Sequence, residues 1–268
     1  MTSLPQATVV LAVTSLILLV LPVICVLLWR RRSGAAWVSM LWGAAGFLLF
    51  ARVLELGVHM VCIISDNPVS RTILGSTPLY VLYGAMMAGI FEECGRYVFL
   101  RSVMKKHRTR EDLVMYGIGH GGIEVWSVTL MSMVSLLVID VLLLLQGREG
   151  AERLLDPMGT GTLGPTIEAA AGMGVLSGVL TVVERVMCMS VHVSLTIVVG
   201  YGVFTGKSRA YLPMAILAHA GVDVLAALYQ RGAVGMMATE IWLLVWAVLL
   251  AVWAVRLYRK LRTSPEDS

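Results

Sequence analysis

The sequence predicts an all-α, polytopic transmembrane helix bundle of about seven spanning helices, or eight if one long segment is two pieces. Three observations predict it. Hydrophobic residues make up 58% of the 268-residue chain and charged residues only 14%, where a soluble domain carries nearer a quarter. The apolar residues gather into runs that match or exceed the ~20 helical residues needed to cross a hydrocarbon core of about 30 Å. Most Lys and Arg residues fall in the short loops between those runs. The net charge of +4 comes with no aromatic–basic patch, which argues against a nucleic-acid partner. The chain reads as a single integral membrane domain, 1–268, in the lipid bilayer.

The first run, 7–29, ends at Arg30-Arg31-Arg32. A secretory signal carries its positive charge before the apolar core, so this is a retained helix with its N-terminus outside. The second run, 35–64, contains Arg52, Glu55 and His59 in its outer half, read as a polar network of their own. Asp66-Asn67-Pro68 breaks the helix in the loop 65–76. The third run is 77–100, followed by the most basic loop, 101–112. The fourth, 113–145, is long and interrupted early by Gly117, Gly119, Gly121 and Gly122. A Gly/Pro-rich, acidic loop, 146–172, precedes the last three runs at 173–204, 211–229 and 239–258. Asp140 and Glu240 read as solvated near the outer face. Cys25, Cys62, Cys94 and Cys188 lie in apolar runs without CxxC spacing, and read as small buried hydrophobes rather than disulfide or zinc-knuckle ligands.

Orientation follows from the basic residues. With the N-terminus outside, the inner loops and tail hold Arg30–Arg32, the cluster from Arg101 to Arg110, Lys207, Arg209, and the group from Arg256 to Arg262. The outer loops hold only Arg71, Arg148, Arg153 and Arg231. The prediction is N-out, C-in.

Ionisable residues inside the runs are costly, about 2.5–3.5 kcal/mol each at a helix centre on insertion scales, and point to function. Phe91-Glu92-Glu93-Cys94-Gly95-Arg96-Tyr97 and His219-Ala220-Gly221-Val222-Asp223 stand out. Counted at 1.5 Å per residue from the inner helix ends, Glu92, Glu93, His120, Glu124, His192, His219 and Asp223 all lie roughly 10–18 Å deep. They form one slab opening toward the cytoplasmic half of the bilayer. Glu92 and Arg96 are spaced for an intrahelical ion pair; His120/Glu124 and His219/Asp223 each share a helix face. Flanking small residues such as Gly89, Gly95, Gly119 and Gly221 allow close helix approach. The chemistry suited to this set is water activation: a carboxylate takes the proton, and histidines hold the water or a metal that acidifies it. Three or four such side chains also suit zinc or another divalent ion. Glu92, His192 and His219 are the leading ligands, with His120 an additional candidate that also reads as a packing histidine. Asp223 is placed to orient a histidine.

These residues resemble the YhfC family of intramembrane proteases, related to the type II CAAX prenyl proteases, PrsW and APH-1. Glu92, Glu93 and Arg96 match the first motif. Gly119-His120-Gly121-Gly122-Ile123-Glu124 resembles the second, with Glu124 the closer equivalent. His192 resembles the third, and His219 with Asp223 the fourth. The resemblance covers 79–227, and the site region is 77–229. The Glu-Glu-x-x-Arg spacing has one residue fewer before the arginine than the CAAX proteases and is closer to PrsW, which points away from a prenylated-Cys substrate. The resemblance implies an endopeptidase acting on a membrane-embedded or membrane-proximal peptide, in a bacterial plasma membrane. Glu92 or Glu93 would be the general base, His192 and His219 would hold water or metal, Glu124 and Asp223 would orient or ligate, and Arg96 would fix the carboxylates or stabilise an oxyanion. APH-1 keeps related motifs as a scaffold, so a non-catalytic scaffold is the second reading and a small ion transporter the third.

Overall fold

The computed structural model describes residues 3–156 and 162–261; the predicted inner-tail residue Arg262 and positions 157–161 of the acidic loop lie outside them. The described chain is helical throughout. The helices are α1 (Leu4–Ser33), α2 (Trp37–Ile64), α3 (Pro68–Leu74), α4 (Thr77–Lys106), α5 (Arg110–Glu124), α6 (Met131–Leu155), α7 (Gly164–Ala171), α8 (Val175–Phe204), α9 (Ser208–Gln230) and α10 (Met236–Tyr258). A π-helical stretch, Val125–Leu130, joins α5 to α6. Among the described residues, six helical segments are long and apolar enough to cross a membrane. The pair α3 and α4, bent by 105°, makes a seventh if taken as one span. The protein is an integral membrane protein.

Two predicted loops contain helix. In the loop 65–76, Pro68 starts α3, and Asn67 caps it. The Asn67 Oδ1 accepts from the backbone N–H of Val69 and Ser70, and Ser70 Oγ accepts from the N–H of Asn67. This reciprocal capping turns a helix break into a helix start. In the loop 146–172, α6 breaks at Gly147, whose φ of 67° only glycine adopts readily. Helix resumes after it because 148–155 is rich in helix formers, with Arg148 paired to Glu152 at 2.9 Å and Arg153 to Glu149. The early glycines of the fourth run do not interrupt it; α5 is unbroken from Arg110 to Glu124.

The chain forms two compact units. The first comprises Met1–Val23 and Glu124–Val186. Its core is Ile139, Leu143, Ala151, Ile167 and Ala170, with Ala7, Leu11 and Met173 forming a second cluster. Asp140, expected to be solvated, is fully buried there and accepts a hydrogen bond from Thr8 Oγ1. The other Asp140 oxygen, Oδ1, is buried with no hydrogen-bond partner among the described residues.

The second unit comprises Ile24–Ile123 and Met187–Ser268. Its centre is α5, in which every residue from Asp112 to Gly122 is buried. Glycine makes this burial achievable. A Cβ on Gly43 of α2 would fall on the Tyr116 carbonyl oxygen, and one on Gly119 would fall on the Met40 carbonyl oxygen. On the other side, a Cβ on Gly117 would lie 2.6 Å from Val193 Cα of α8. The starts of α2 and α5 share one carboxylate. Asp112 accepts from the Ala36 N–H and Ser39 Oγ at 2.9 Å each, and from Thr109 Oγ1 at 2.7 Å. Elsewhere, α4 meets α9 at Gly89, where a Cβ would sit 2.7 Å from the Ile216 carbonyl oxygen. Finally, α10 fixes α9 through Trp242 Nε1, which donates to the Gly221 carbonyl at 2.9 Å.

Replacing Gly119 by Leu is expected to break the α2–α5 crossing and to cost at least the ~3 kcal/mol at the top of the overpacking range. Gly57→Ala, where a Cβ meets nothing within 4 Å, is expected to be silent. Thermal unfolding in detergent followed by size-exclusion chromatography measures both.

Candidate metal and acid–base site

The second unit brings seven of the predicted residues together: Glu92, Glu93 and Arg96 from α4, His120 from α5, His192 from α8, and His219 and Asp223 from α9. Glu93 and Arg96 are fully buried. Glu92, His120, His192 and His219 are all buried as well, and Asp223 is the partly exposed member, its side chain 31% accessible.

Adjacent positions on a helix point about 100° apart, so the two glutamates face different partners. Glu92 looks toward α5 and α8. His120 Nε2 donates to Glu92 Oε2 at 2.9 Å, and His192 Nδ1 lies 3.7 Å from the same oxygen. The His120 and His192 rings are 4.9 Å apart, and Phe47 packs edge-on against His120 at 5.2 Å. Glu93 looks toward α9. His219 Nδ1 donates to Glu93 Oε1 at 2.7 Å, and Arg96 Nη1 donates to that same oxygen. The other Glu93 oxygen, Oε2, is buried with no hydrogen-bond partner among the described residues. Behind His219, its Nε2 lies 3.5 Å from Asp223 Oδ2.

Arg96 joins the two halves. It donates to Glu93 through Nη1 and to His192 Nδ1 through Nη2 at 3.2 Å. The expected ion pair was Glu92 with Arg96, four residues apart. The structure puts Arg96 on Glu93, three residues back. Both spacings bring side chains into reach on a helix, and the choice is made by what else needs a partner: Glu92 is engaged with histidines of two other helices.

Among the described residues, Glu92, His120 and His192 offer ligand atoms that all lie within 4.8 Å of one another. Two imidazoles and one carboxylate are a donor set seen in catalytic zinc sites, which keep a further position open. The residues therefore fit a divalent ion. The membership differs from expectation: His120 joins Glu92 and His192, whereas His219 is turned to Glu93. The helical phase of the two glutamates separates their partners; which histidine goes to which is set by the packing of α5, α8 and α9. Glu124 belongs to the other unit, where Arg185 Nη1 donates to its Oε1 at 3.2 Å and Nη2 donates to Glu184. Of the network predicted in α2, Glu55 and His59 pair at 3.3 Å and His59 Nδ1 is bonded to Tyr83 OH at 2.8 Å, while Arg52 is exposed. Among the described residues the four cysteines form no disulfide, and all are half-buried.

A family model described as YhfC intramembrane metalloprotease matches residues 17–244. The chain belongs to the YhfC family. It is also 33% identical over 255 residues to the uncharacterized membrane protein YhfC of Bacillus subtilis (strain 168), covering 95% of this chain and 97% of that one. No solved structure matches it. For this YhfC family member, the Glu-Glu-x-x-Arg and His-x-x-x-Asp elements that carried the resemblance are the ones that meet in the second unit.

Removing Arg96 leaves the Glu93 carboxylate buried without its cation. Arg96→Ala is expected to destabilise by about 3–5 kcal/mol, as breaking one side of a buried pair does. A combined Glu93→Gln/Arg96→Met variant should recover much of that loss. Chemical unfolding in detergent micelles, comparing the single and double variants, checks it.

Proposed function

We propose that this protein is a metal-dependent intramembrane endopeptidase of a bacterial plasma membrane, with the basic loops inside. Its substrate is a membrane-embedded or membrane-proximal peptide. The observation that carries the proposal is the separation of two carboxylates on adjacent residues. Glu92 sits in a metal-type donor set with His120 and His192, and Glu93 sits outside it with one buried oxygen uncommitted.

Glu92, His120 and His192 would hold the ion, zinc by the softness and number of the donors. Such an ion supplies Lewis acidity, which acidifies water and polarises a carbonyl. Glu93 is the general base: its Oε2 receives the proton of the attacking water and returns it to the leaving amine. His219 and Arg96 hold Glu93 through Oε1, so the base is oriented without using the oxygen that takes the proton. Asp223 steadies the His219 ring from its other nitrogen, the part a carboxylate plays behind a functional histidine. His192 Nδ1 accepts from Arg96 Nη2 at 3.2 Å, so Arg96 also orients the His192 ring that would hold the ion. Burial of the set excludes bulk water and strengthens every charge–charge interaction within it.

The assignment separates base from ligands experimentally. Glu93→Gln is expected to retain about one bound zinc per chain and to lose 10²–10⁴-fold in cleavage of a quenched transmembrane peptide. His120→Ala and His192→Ala are expected to lose the metal, read by mass spectrometry of the purified protein. Full cleavage by a folded, zinc-loaded Glu93→Gln variant would sink the mechanism. A folded wild type with neither zinc nor cleavage would favour a scaffold.

A further inference from the structure

The second unit contains a cavity of about 390 Å³ between α2, α4 and α9. Leu56 and His59 line it from α2, Tyr83 and Gly84 from α4, and Asp223 and Gln230 from α9. We propose that this cavity is the subsite that receives an extended, apolar stretch of the peptide beside the bond to be cleaved. The proposal rests on the endopeptidase reading above.

Four observations point to a peptide. The volume and the mainly aliphatic walls, with a few placed polar groups, are those of pre-formed ligand pockets, which run about 300–1,000 Å³. The inner end reaches the site, since Asp223 both lines the cavity and lies 3.5 Å from His219 Nε2. From Tyr80 to Ala88, both lining residues, the cavity follows α4 for about 12 Å at 1.5 Å per residue. That length takes about three extended residues at 3.3–3.6 Å each. Finally, its lining includes Leu56 and Ile64, 42% and 58% exposed. On a membrane-spanning helix such residues face lipid, so a segment already dissolved in the bilayer can enter sideways.

An unwound peptide brings bare N–H and C=O groups into a place without water, and each needs a partner. The cavity holds polar side chains that are bonded to one another here and would exchange those bonds for the peptide's. Tyr83 OH and His59 Nδ1 are bonded at 2.8 Å, with His59 held from behind by Glu55 at 3.3 Å. Near the end of α9, Tyr80 OH donates to Gln230 Oε1 at 2.8 Å. The polar network of α2 thereby acquires a role: it pairs with the peptide backbone and takes no part in the chemistry. Gly84 is the position that keeps the space open, for a Cβ there meets nothing within 4 Å. A side chain at 84 therefore starts into open space beside the cavity it lines.

The test uses the full chain in detergent or nanodiscs and synthetic transmembrane peptides of about 25 residues, varied from Ala to Leu to Phe on each side of the cleaved bond. Gly84→Phe is expected to keep its zinc and its unfolding temperature. It should lower kcat/KM by 10-fold or more for Leu and Phe at one flanking position, within the range that side-chain fit commands, and spare the Ala peptide. An unchanged preference would overturn the subsite. So would an equal loss on all peptides, which would mark the cavity as a water path. Binding is read separately in Glu93→Gln carrying p-benzoylphenylalanine at position 56. Irradiation should cross-link the Leu peptide, in competition with unlabelled peptide, and Gly84→Phe should abolish the adduct. The same probe at Val248 of α10 should give no competable adduct. Cross-linking without any wild-type cleavage would keep the subsite and remove the hydrolase reading; cleavage without cross-linking would do the reverse.

Discussion

Everything in the second unit is arranged around one guanidinium that has no access to water. Arg96 is fully buried, in a chain whose surroundings are hydrocarbon. A charge there is tolerated only when neutralised and hydrogen-bonded. Glu93 neutralises it, His192 Nδ1 accepts a hydrogen bond from its Nη2, and His219 approaches the same Glu93 oxygen from α9. Those contacts tie α4, α8 and α9 into one electrostatic object. His120 on α5 enters it through Glu92. Lipid offers helices no hydrophobic reason to associate, so packing and interhelical polar contacts must supply one. Here both meet at the same level: the glycine crossings of α5 bring the backbones together, and the polar cluster fixes which faces meet.

Much of this was legible in the sequence. Composition and run lengths gave the bundle, and the intramembrane charges at Glu92, Glu93, Arg96, His192, His219 and Asp223 marked the residues that converge. The pairing within the cluster was not legible. Arg96 is three residues from one glutamate and four from the other, and nothing in a helical wheel chooses between them. His120, read as the weaker ligand, is placed by the Gly43–Gly119 crossing and by Asp112 at the start of α5, both long-range effects. Glu124, one helical turn beyond His120 and on the same face by spacing, is taken by Arg185, a partner that only the fold reveals. The helices inside the two predicted loops were missed for a local reason. Turn residues such as Asn67, Pro68 and Gly147 punctuate the chain, but the first two also begin helices, and the segment after Gly147 has its own ion pairs.

The division of labour proposed for Glu92 and Glu93 has a counterpart in how each is held. Glu92 touches imidazoles, ligands that exchange a proton for a metal at little cost in charge. Glu93 touches a guanidinium that never gives up its proton and a histidine backed by a carboxylate. One carboxylate thus sits in an adjustable environment and the other in a fixed one, on consecutive residues of a single helix. That is the arrangement expected where one group must accept a variable occupant and its neighbour must keep a constant orientation.

The close approach at Gly89 carries a consequence for what this segment can tolerate over time. With Gly89 seated against Ile216 and Ala220, α4 cannot rotate about its own axis to absorb a slip in the chain. A residue gained between Gly89 and Glu92 would turn both carboxylates by about 100°, bringing Glu92 to the direction Glu93 now takes and turning Glu93 away from its partners. A residue lost would bring Glu93 to Glu92's direction and turn Glu92 away, and either change leaves the hydropathy of the run nearly unaltered. The segment is therefore free to drift in composition along its lipid face but closed to changes of length, a constraint of phase that no count of its amino acids would reveal.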